Sequence, residues 1–141
     1  MSGFLLDTNC ISELVRSNPE PRVLQWIDAA DESLLYLSVL TLGEIRKGVA
    51  SLPAGRRRTQ LETWLELELQ ARFAGRVLSI DSQIADRWGI LAAAAKRVGK
   101  ALSAVDGLLA ATALHHNLTI VSRNASDFSC THVPVVNPWQ V

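Results

Sequence analysis

Four carboxylates in this 141-residue chain fall where side chains do chemistry. Asp7 directly follows the apolar run Gly3–Leu6. Glu44 is expected in the first turn of the helical pattern that follows a second such run, Leu34–Ser38. Asp106 falls in the first turn of a helical pattern that precedes a third, Leu118–Ser122. Asp127 lies just beyond that run, in Ser122-Arg123-Asn124-Ala125-Ser126-Asp127-Phe128. In a parallel sheet all strand carboxyl ends share one edge, and ligands bind there. Asp7, Glu44 and Asp127 are expected to converge on that edge. Asp106 joins them because a helix entering a strand normally starts on the same side. Four acids at one edge repel unless a cation sits among them. Oxygen-only ligands select Mg²⁺ or Mn²⁺ over Zn²⁺.

Each acid also has a structural reading. Asp7 fits a helix N-cap. Thr41-Leu42-Gly43-Glu44 fits the capping box T-x-x-E, and Ser103-Ala104-Val105-Asp106 fits the same pattern with Asp in place of Glu. Asp127 can fix a turn through its own backbone. Asp81 also follows an apolar run, so topology decides whether it reaches the others. Arg46, Lys47 and Arg123 are candidate phosphate contacts. The run Arg56-Arg57-Arg58 reads as a solvated helix start, with a backbone-phosphate patch as the alternative. His115 and His116 end a helix, where a cation suits the dipole. Trp26, Trp64 and Trp88 fall on apolar helical faces and read as core or association surface.

The elements that would position these groups alternate short strand-like runs with longer helical patterns, the signature of an α/β fold with a parallel sheet. Strands are expected at Gly3–Leu6, Leu34–Ser38, Val77–Ile80 and Leu118–Ser122, with an edge strand at Val133–Val136 because Pro134 cannot donate to a ladder. Ile11, Leu14 and Val15 mark a short helix. Asn18-Pro19 opens the next, faced by Val23, Trp26, Ile27 and Ala30. Helices then follow over about 41–50 and over 56–73. Asp81 or Ser82 caps a long helix that Gly99 closes, and Ser103 caps a helix over 104–116.

Composition narrows the classes. Lys+Arg and Asp+Glu each number 14, giving zero net charge, which argues against wholesale coating of nucleic acid but allows a local basic patch. With 48% apolar and 20% charged residues the chain reads as one ordered domain over 1–141. No apolar run approaches a membrane span, so no membrane association is expected. The first residues lack signal-peptide character, and a cytoplasmic location is expected. Cys10 and Cys130 make no disulfide framework and read as reduced thiols. The absence of GxGxxG and GxxxxGK[ST] disfavours a nucleotide-cofactor enzyme.

Leu5-Leu6-Asp7-Thr8-Asn9, then Leu42-Gly43-Glu44-Ile45, then Asp106-Gly107-Leu108-Leu109-Ala110-Ala111-Thr112-Ala113, then Ser122-Arg123-Asn124 with Asp127-Phe128, resemble the four signature blocks of PIN-domain ribonucleases. The similarity is to the VapC toxin type, including its FitB-like and plasmid-stability members, and it covers nearly the whole chain in the family's order. It implies a three-layer α/β/α domain with strand order 3-2-1-4-5. It implies Mg²⁺- or Mn²⁺-dependent hydrolysis of RNA, a toxin homodimer, and a cognate antitoxin that blocks the site. DNA would be met only indirectly, through the antitoxin. The family's acidic quartet carries over to Asp7, Glu44, Asp106 and Asp127, with Asp7 and Asp106 as principal metal ligands. Asn9, Ser122 and Asn124 match polar positions near that site. Two other readings remain open. One is a metal-dependent phosphatase with Asp7 as nucleophile, weakened because Asn9 stands where a second Asp would be wanted. The other is a catalytically silent nucleic-acid- or protein-binding module whose acids are only caps.

Overall fold

Alternation along the strands sorts the core into two layers. In a strand successive side chains point to opposite faces. Leu6, Leu35, Leu37 and Val121 pack on one side of the sheet with Ile11, Val23, Ile27, Ile45, Leu65, Leu69 and Phe73. Leu5 and Ile120 pack on the other with Leu109, Ala110, Ala113 and Phe128. Both faces are covered, as a parallel sheet requires. In this computed structural model, which describes residues 2–140, the sheet comprises β1 (Phe4–Leu6), β2 (Leu35–Ser38), β3 (Val77–Leu78), β4 (Thr119–Val121) and β5 (Val135–Val136). All neighbours are parallel, in the order β3-β2-β1-β4-β5. The expected α/β/α layering, the strand order and the edge position of the last strand agree with this.

Helices α1 (Thr8–Glu13), α2 (Pro21–Ala29), α3 (Val39–Ala50) and α4 (Arg56–Thr63) cover the first face. α4 continues through π-helical turns (Trp64–Leu69) into α5 (Gln70–Arg72). That stretch buries Leu65 and Leu69 and leaves Leu67 66% exposed. Helices α6 (Ser82–Arg97) and α7 (Ala104–His115) cover the second face. Asp81 caps α6, accepting from Ile84 N at 2.9 Å, and Gly99 ends it at φ +69°. Lys100 N donates to Ala95 O at 2.9 Å and Gly99 N to Lys96 O at 3.1 Å, which satisfies the last carbonyls of the helix.

Two helix starts differ from the sequence expectation. α2 begins at Pro21, not after Asn18, because Glu20 supplies the cap and Pro21 takes the first helical position, where its missing N–H is harmless. α3 begins at Val39, with Ser38 Oγ accepting from Leu40 N at 3.1 Å. Thr41 therefore lies inside the helix, and Thr41 to Glu44 is not a capping box. The arginine run opens α4 as expected, with Arg56 and Arg57 exposed; Arg57 donates to Val15 O and Arg58 to Leu52 O. Both cysteines are free, as expected; Cys10 is fully buried, donates to Val121 O at 3.2 Å, and burial pushes its thiol far up.

Gly107, inside the third signature block, is where α7 crosses α6. A Cβ there would lie 2.7 Å from Cδ1 of the Trp88 ring and 2.9 Å from its Nε1. The indole cannot yield without moving out of its half-buried seat between the helices. Gly107→Val is expected to destabilise the fold by about 2 kcal/mol through overpacking. Thermal unfolding of the purified variant checks this, and an unchanged melting temperature would show that the helices can separate freely.

Candidate active site

Register places the first carboxylate. Leu6 pairs with Val121 across β1 and β4, so the next residues, Asp7 and Ser122, are neighbours at the carboxyl edge. Asp7 is only 8% exposed. One of its oxygens accepts from Thr8 N at 2.7 Å, and the other accepts from Ser122 Oγ at 2.8 Å. Ser122, itself fully buried, also accepts from Asn9 Nδ2 at 3.3 Å and from Asn124 N at 3.0 Å. Asn9 Oδ1 accepts in turn from Arg123 N at 3.2 Å. Asn9, Ser122 and Asn124 thus form a polar floor that fixes the orientation of Asp7.

The other carboxylates arrive from helices. Glu44 sits on α3 past its first turn and is half-buried. Asp106 lies in the first turn of α7, its N–H donating to Ser103 Oγ at 3.1 Å. Asp127 is exposed on the 3-10 stretch Ala125–Thr131 that follows β4.

Burial and mutual repulsion act together on this edge. Burial raises the Asp7 carboxyl above its ordinary value; hydrogen bonds from Ser122 and Thr8 work against it, and the charges of Asp106 and Glu44 add to the rise. Asp106 is raised chiefly by burial, opposed by Ser103, with the charges of Asp127 and Glu44 raising it further. The four acids therefore feel one another in pairs. They do not close into a cage: among the described residues no group of three or more His, Cys, Asp or Glu is positioned as a ready ion site. Mg²⁺ is commonly held by only one or two carboxylates and several waters, so an open set of oxygen donors fits it.

Asp81 is elsewhere. Its charge acts on His116, at the far end of α7 from Asp106. Ten residues of helix separate those ends, about 15 Å. Of the basic candidates, Arg46 is held by Glu66 at 2.8 Å on the exposed side of α3, whereas Lys47 lines a cavity with Glu44. Arg123 stacks over Trp139, 5.6 Å from the ring centroid, and lines a polar cavity of about 300 Å³ with Arg16 and Asn18.

Two further cavities meet at Glu44. One, of about 630 Å³, is lined by Thr8, Val39, Leu40, Gly43, Lys47 and Val105 as well as Glu44; the other, of about 190 Å³, runs between α1, α3 and α4 to Leu61 and Trp64. Two features escaped the sequence reading. Glu13 is buried and accepts from Glu20 N and from Arg16 at 2.7 Å each, pinning the loop after α1. Thr8 bonds Glu44, a pairing that no local pattern announces.

A parallel sheet in this order, with acids gathered at its carboxyl edge, defines an α/β/α domain with a candidate cation-binding edge. The PIN domain model matches residues 4–130, and the chain belongs to that family. It is 43% identical over 137 residues to the VapC ribonuclease Y4jK of Sinorhizobium fredii, covering 97% of this chain and 98% of that one. The structure of FitAcB from Neisseria gonorrhoeae superposes with a TM-score of 0.94 at 40% identity, covering 98% of this chain and 99% of that one. A toxin-antitoxin complex from Klebsiella pneumoniae matches with a TM-score of 0.72 at 26% identity, covering 96% and 98%.

Proposed function

We propose that this protein is a divalent-cation-dependent endoribonuclease and the toxin of a toxin–antitoxin pair. One observation carries the site: Asp7 is a desolvated carboxylate with two repelling acid neighbours at the carboxyl edge of a PIN-family sheet. Membership in the family and likeness to a VapC ribonuclease support RNA as the substrate. No helix among the described residues is long and apolar enough to cross a membrane.

In this reading Asp7 and Asp106 are the principal ligands of Mg²⁺ or Mn²⁺. A bound cation supplies charge that stabilises phosphoryl oxygens and makes water more acidic at neutral pH. Ser122 and Thr8 N–H hold Asp7 in one rotamer, so its oxygens are oriented before substrate arrives. Glu44 and Asp127 orient the attacking water or complete the ion's shell. The N-terminus of α7 beside Asp106 adds positive field for a phosphate. Among the described residues His115 and His116 lie at the far end of α7 from Asp106 and His132 follows the stretch Ala125–Thr131, so in this reading proton transfer falls to carboxylates and water.

The silent-module reading fails on two of the four acids. Glu44 is not a cap, because Ser38 fills that role, and the Asp127 side chain makes no turn-fixing hydrogen bond among the described residues. The phosphatase reading needs an acid at position 9. Both ends of the Asn9 amide are instead engaged with Ser122 and Arg123, a structural use.

Partners follow from the surface near Glu44. Val39, Leu40 and Val105 line the larger cavity and Leu52, Leu61 and Trp64 the smaller, giving an apolar track beside the acids that an antitoxin segment would cover. Contact with DNA would come through that antitoxin. The chain itself would pair as a homodimer, with exposed Leu67 contributing to association. The decisive experiment is to incubate the partner-free protein with total RNA in Mg²⁺, Mn²⁺ or chelator and to sequence the new ends. Cleavage that persists in chelator would overturn the proposal.

Arg123 is taken as a phosphate contact, since its backbone N–H donates to Asn9 beside Asp7 and its guanidinium is held over Trp139. Arg123→Ala is expected to raise KM for RNA with kcat nearly unchanged. It should also reduce the slope of log KM against log salt by roughly 0.7, the single-strand value for one lost phosphate contact. An unchanged slope would remove Arg123 from the substrate path.

A further inference from the structure

We propose that Thr8 is the positioning residue for Glu44: its hydroxyl fixes one carboxylate oxygen and leaves the other directed to the shared edge. The proposal rests on the cation-dependent nuclease reading and deepens it by giving a role to the Thr8 hydroxyl.

The geometry is specific. Thr8 is the first residue of α1, so its hydroxyl has no helical carbonyl four residues back to bond. Thr112, inside α7, takes that local option and donates to Leu108 O at 2.7 Å. Thr8 instead donates across the fold to Oε1 of Glu44, 36 positions away. Its backbone N–H meanwhile donates to Asp7 Oδ1 at 2.7 Å. A single residue thus ties together a carboxylate from the end of β1 and one from α3.

Among the described residues Glu44 has no ion pair and no second side-chain hydrogen bond. Lys47 shares the cavity wall with it but forms no salt bridge among the described residues. A glutamate has three side-chain torsions, and an unheld one samples several rotamers at an entropic cost when it must be fixed. Thr8 removes that freedom in advance. Its own χ1 is stiff, because two heavy atoms branch at Cβ. Thr8 and Glu44 both line the 630 Å³ and the 190 Å³ cavities, so their bond is part of the wall between them. Losing it would let the Glu44 side chain swing away from Asp7 and Asp106.

The test is a set of four variants of the full chain, Thr8→Val, Thr8→Ser, Glu44→Gln and the double variant Thr8→Val/Glu44→Gln. Mn²⁺ affinity by calorimetry and RNA-cleavage kcat and KM are read for each. Thr8→Val keeps shape and removes the donor. It is expected to lower Mn²⁺ affinity or kcat by about 10- to 100-fold, the usual range for an outer-shell partner, with KM for RNA unchanged. Thr8→Ser keeps the donor and should stay near the parent. In the Glu44→Gln background, Thr8→Val should add no further loss, since its effect runs through Glu44. Parental Mn²⁺ binding and kcat in Thr8→Val, with Glu44→Gln impaired, would overturn the role of Thr8 and leave the nuclease reading standing. Equal losses in Thr8→Ser and Thr8→Val would also overturn it, since the methyl and not the hydroxyl would then matter. If Glu44→Gln itself binds Mn²⁺ and cleaves like the parent, the place of Glu44 in the site is wrong, and the proposal falls with it. Should Thr8→Val fail to fold, Thr8→Ala takes its place in the same comparison.

Discussion

Asp7→Asn is expected to fold and to lose most Mg²⁺-dependent RNA cleavage. The loss should exceed the about 10- to 100-fold that follows removal of an outer-shell partner, because an anionic oxygen donor of the ion itself is gone. Folding should survive for a separate reason. Asp7 accepts from Thr8 N, and an asparagine oxygen caps a helix about as well as an aspartate. The second oxygen is the delicate one. It accepts from Ser122 Oγ, which already accepts from Asn9 and Asn124. An asparagine NH₂ at that place would face a hydroxyl with no acceptor capacity left, a penalty of about 1–2 kcal/mol. Against it stands the relief of removing a buried charge repelled by Asp106 and Glu44. The two nearly cancel, so the metal-free variant should match the parent within about 1 kcal/mol at neutral pH. Circular dichroism melts and cleavage assays on the same preparation separate the effects. A folded Asp7→Asn that cleaves at near-parental rate would reduce Asp7 to a helix cap.

The legible parts of this molecule are those governed by short-range pattern. Period-two alternation in Leu5-Leu6 and Ile120-Val121 reports the two buried faces directly, and it fixes which residue of each pair meets which helical layer. Asp7 is placed by following β1 directly, and Asp106 by lying in the first turn after the Ser103 cap. Glu44 was harder. The T-x-x-E pattern suggests a capping box, but Ser38 caps the helix three residues before Thr41 can, and the register of the cap decides whether Glu44 is consumed or left for the site. The contacts that tune the edge were not legible. Ser122 reaches Asp7 only because β1 and β4 pair in one register, and Thr8 reaches Glu44 only because α1 packs beside α3. Such contacts depend on tertiary approach, which propensity and spacing do not encode. The π-helical turns over Trp64–Leu69 are of the same kind, since leucines at 65, 67 and 69 suit several helical registers and packing selects one.

Removing the cation is expected to abolish cleavage and to make stability depend on pH in a direction set by Asp7 and Asp106. Both carboxyls are raised, chiefly by burial and further by neighbouring acids. Between the unfolded and the folded value of such a group, the native state keeps a proton that the unfolded chain has released. The unfolded state then binds fewer protons, so stability falls as pH rises through that interval. The interval opens near the ordinary aspartate value of 3.8 and extends upward. Other groups act elsewhere. At Glu13 burial, which raises the carboxyl, is outweighed by Glu20 N–H and Arg16, so its stabilising contribution is lost only as pH falls below its ordinary value of 4.5. His116 is lowered by burial and by His115, so stability gained there grows as pH rises towards 6.5. Those contributions are the same with and without a cation at the acid edge. The melting temperature in saturating Mg²⁺ minus that in chelator therefore isolates the edge, and this gap should widen as pH rises from the ordinary aspartate value through the raised folded values of Asp7 and Asp106, then level off. In Asp7→Asn one raised carboxyl and one ligand are absent, so the gap should shrink and lose most of its pH dependence. A gap in the parent that is constant over the range would mean that no edge carboxyl is raised and that the acids do not share an ion.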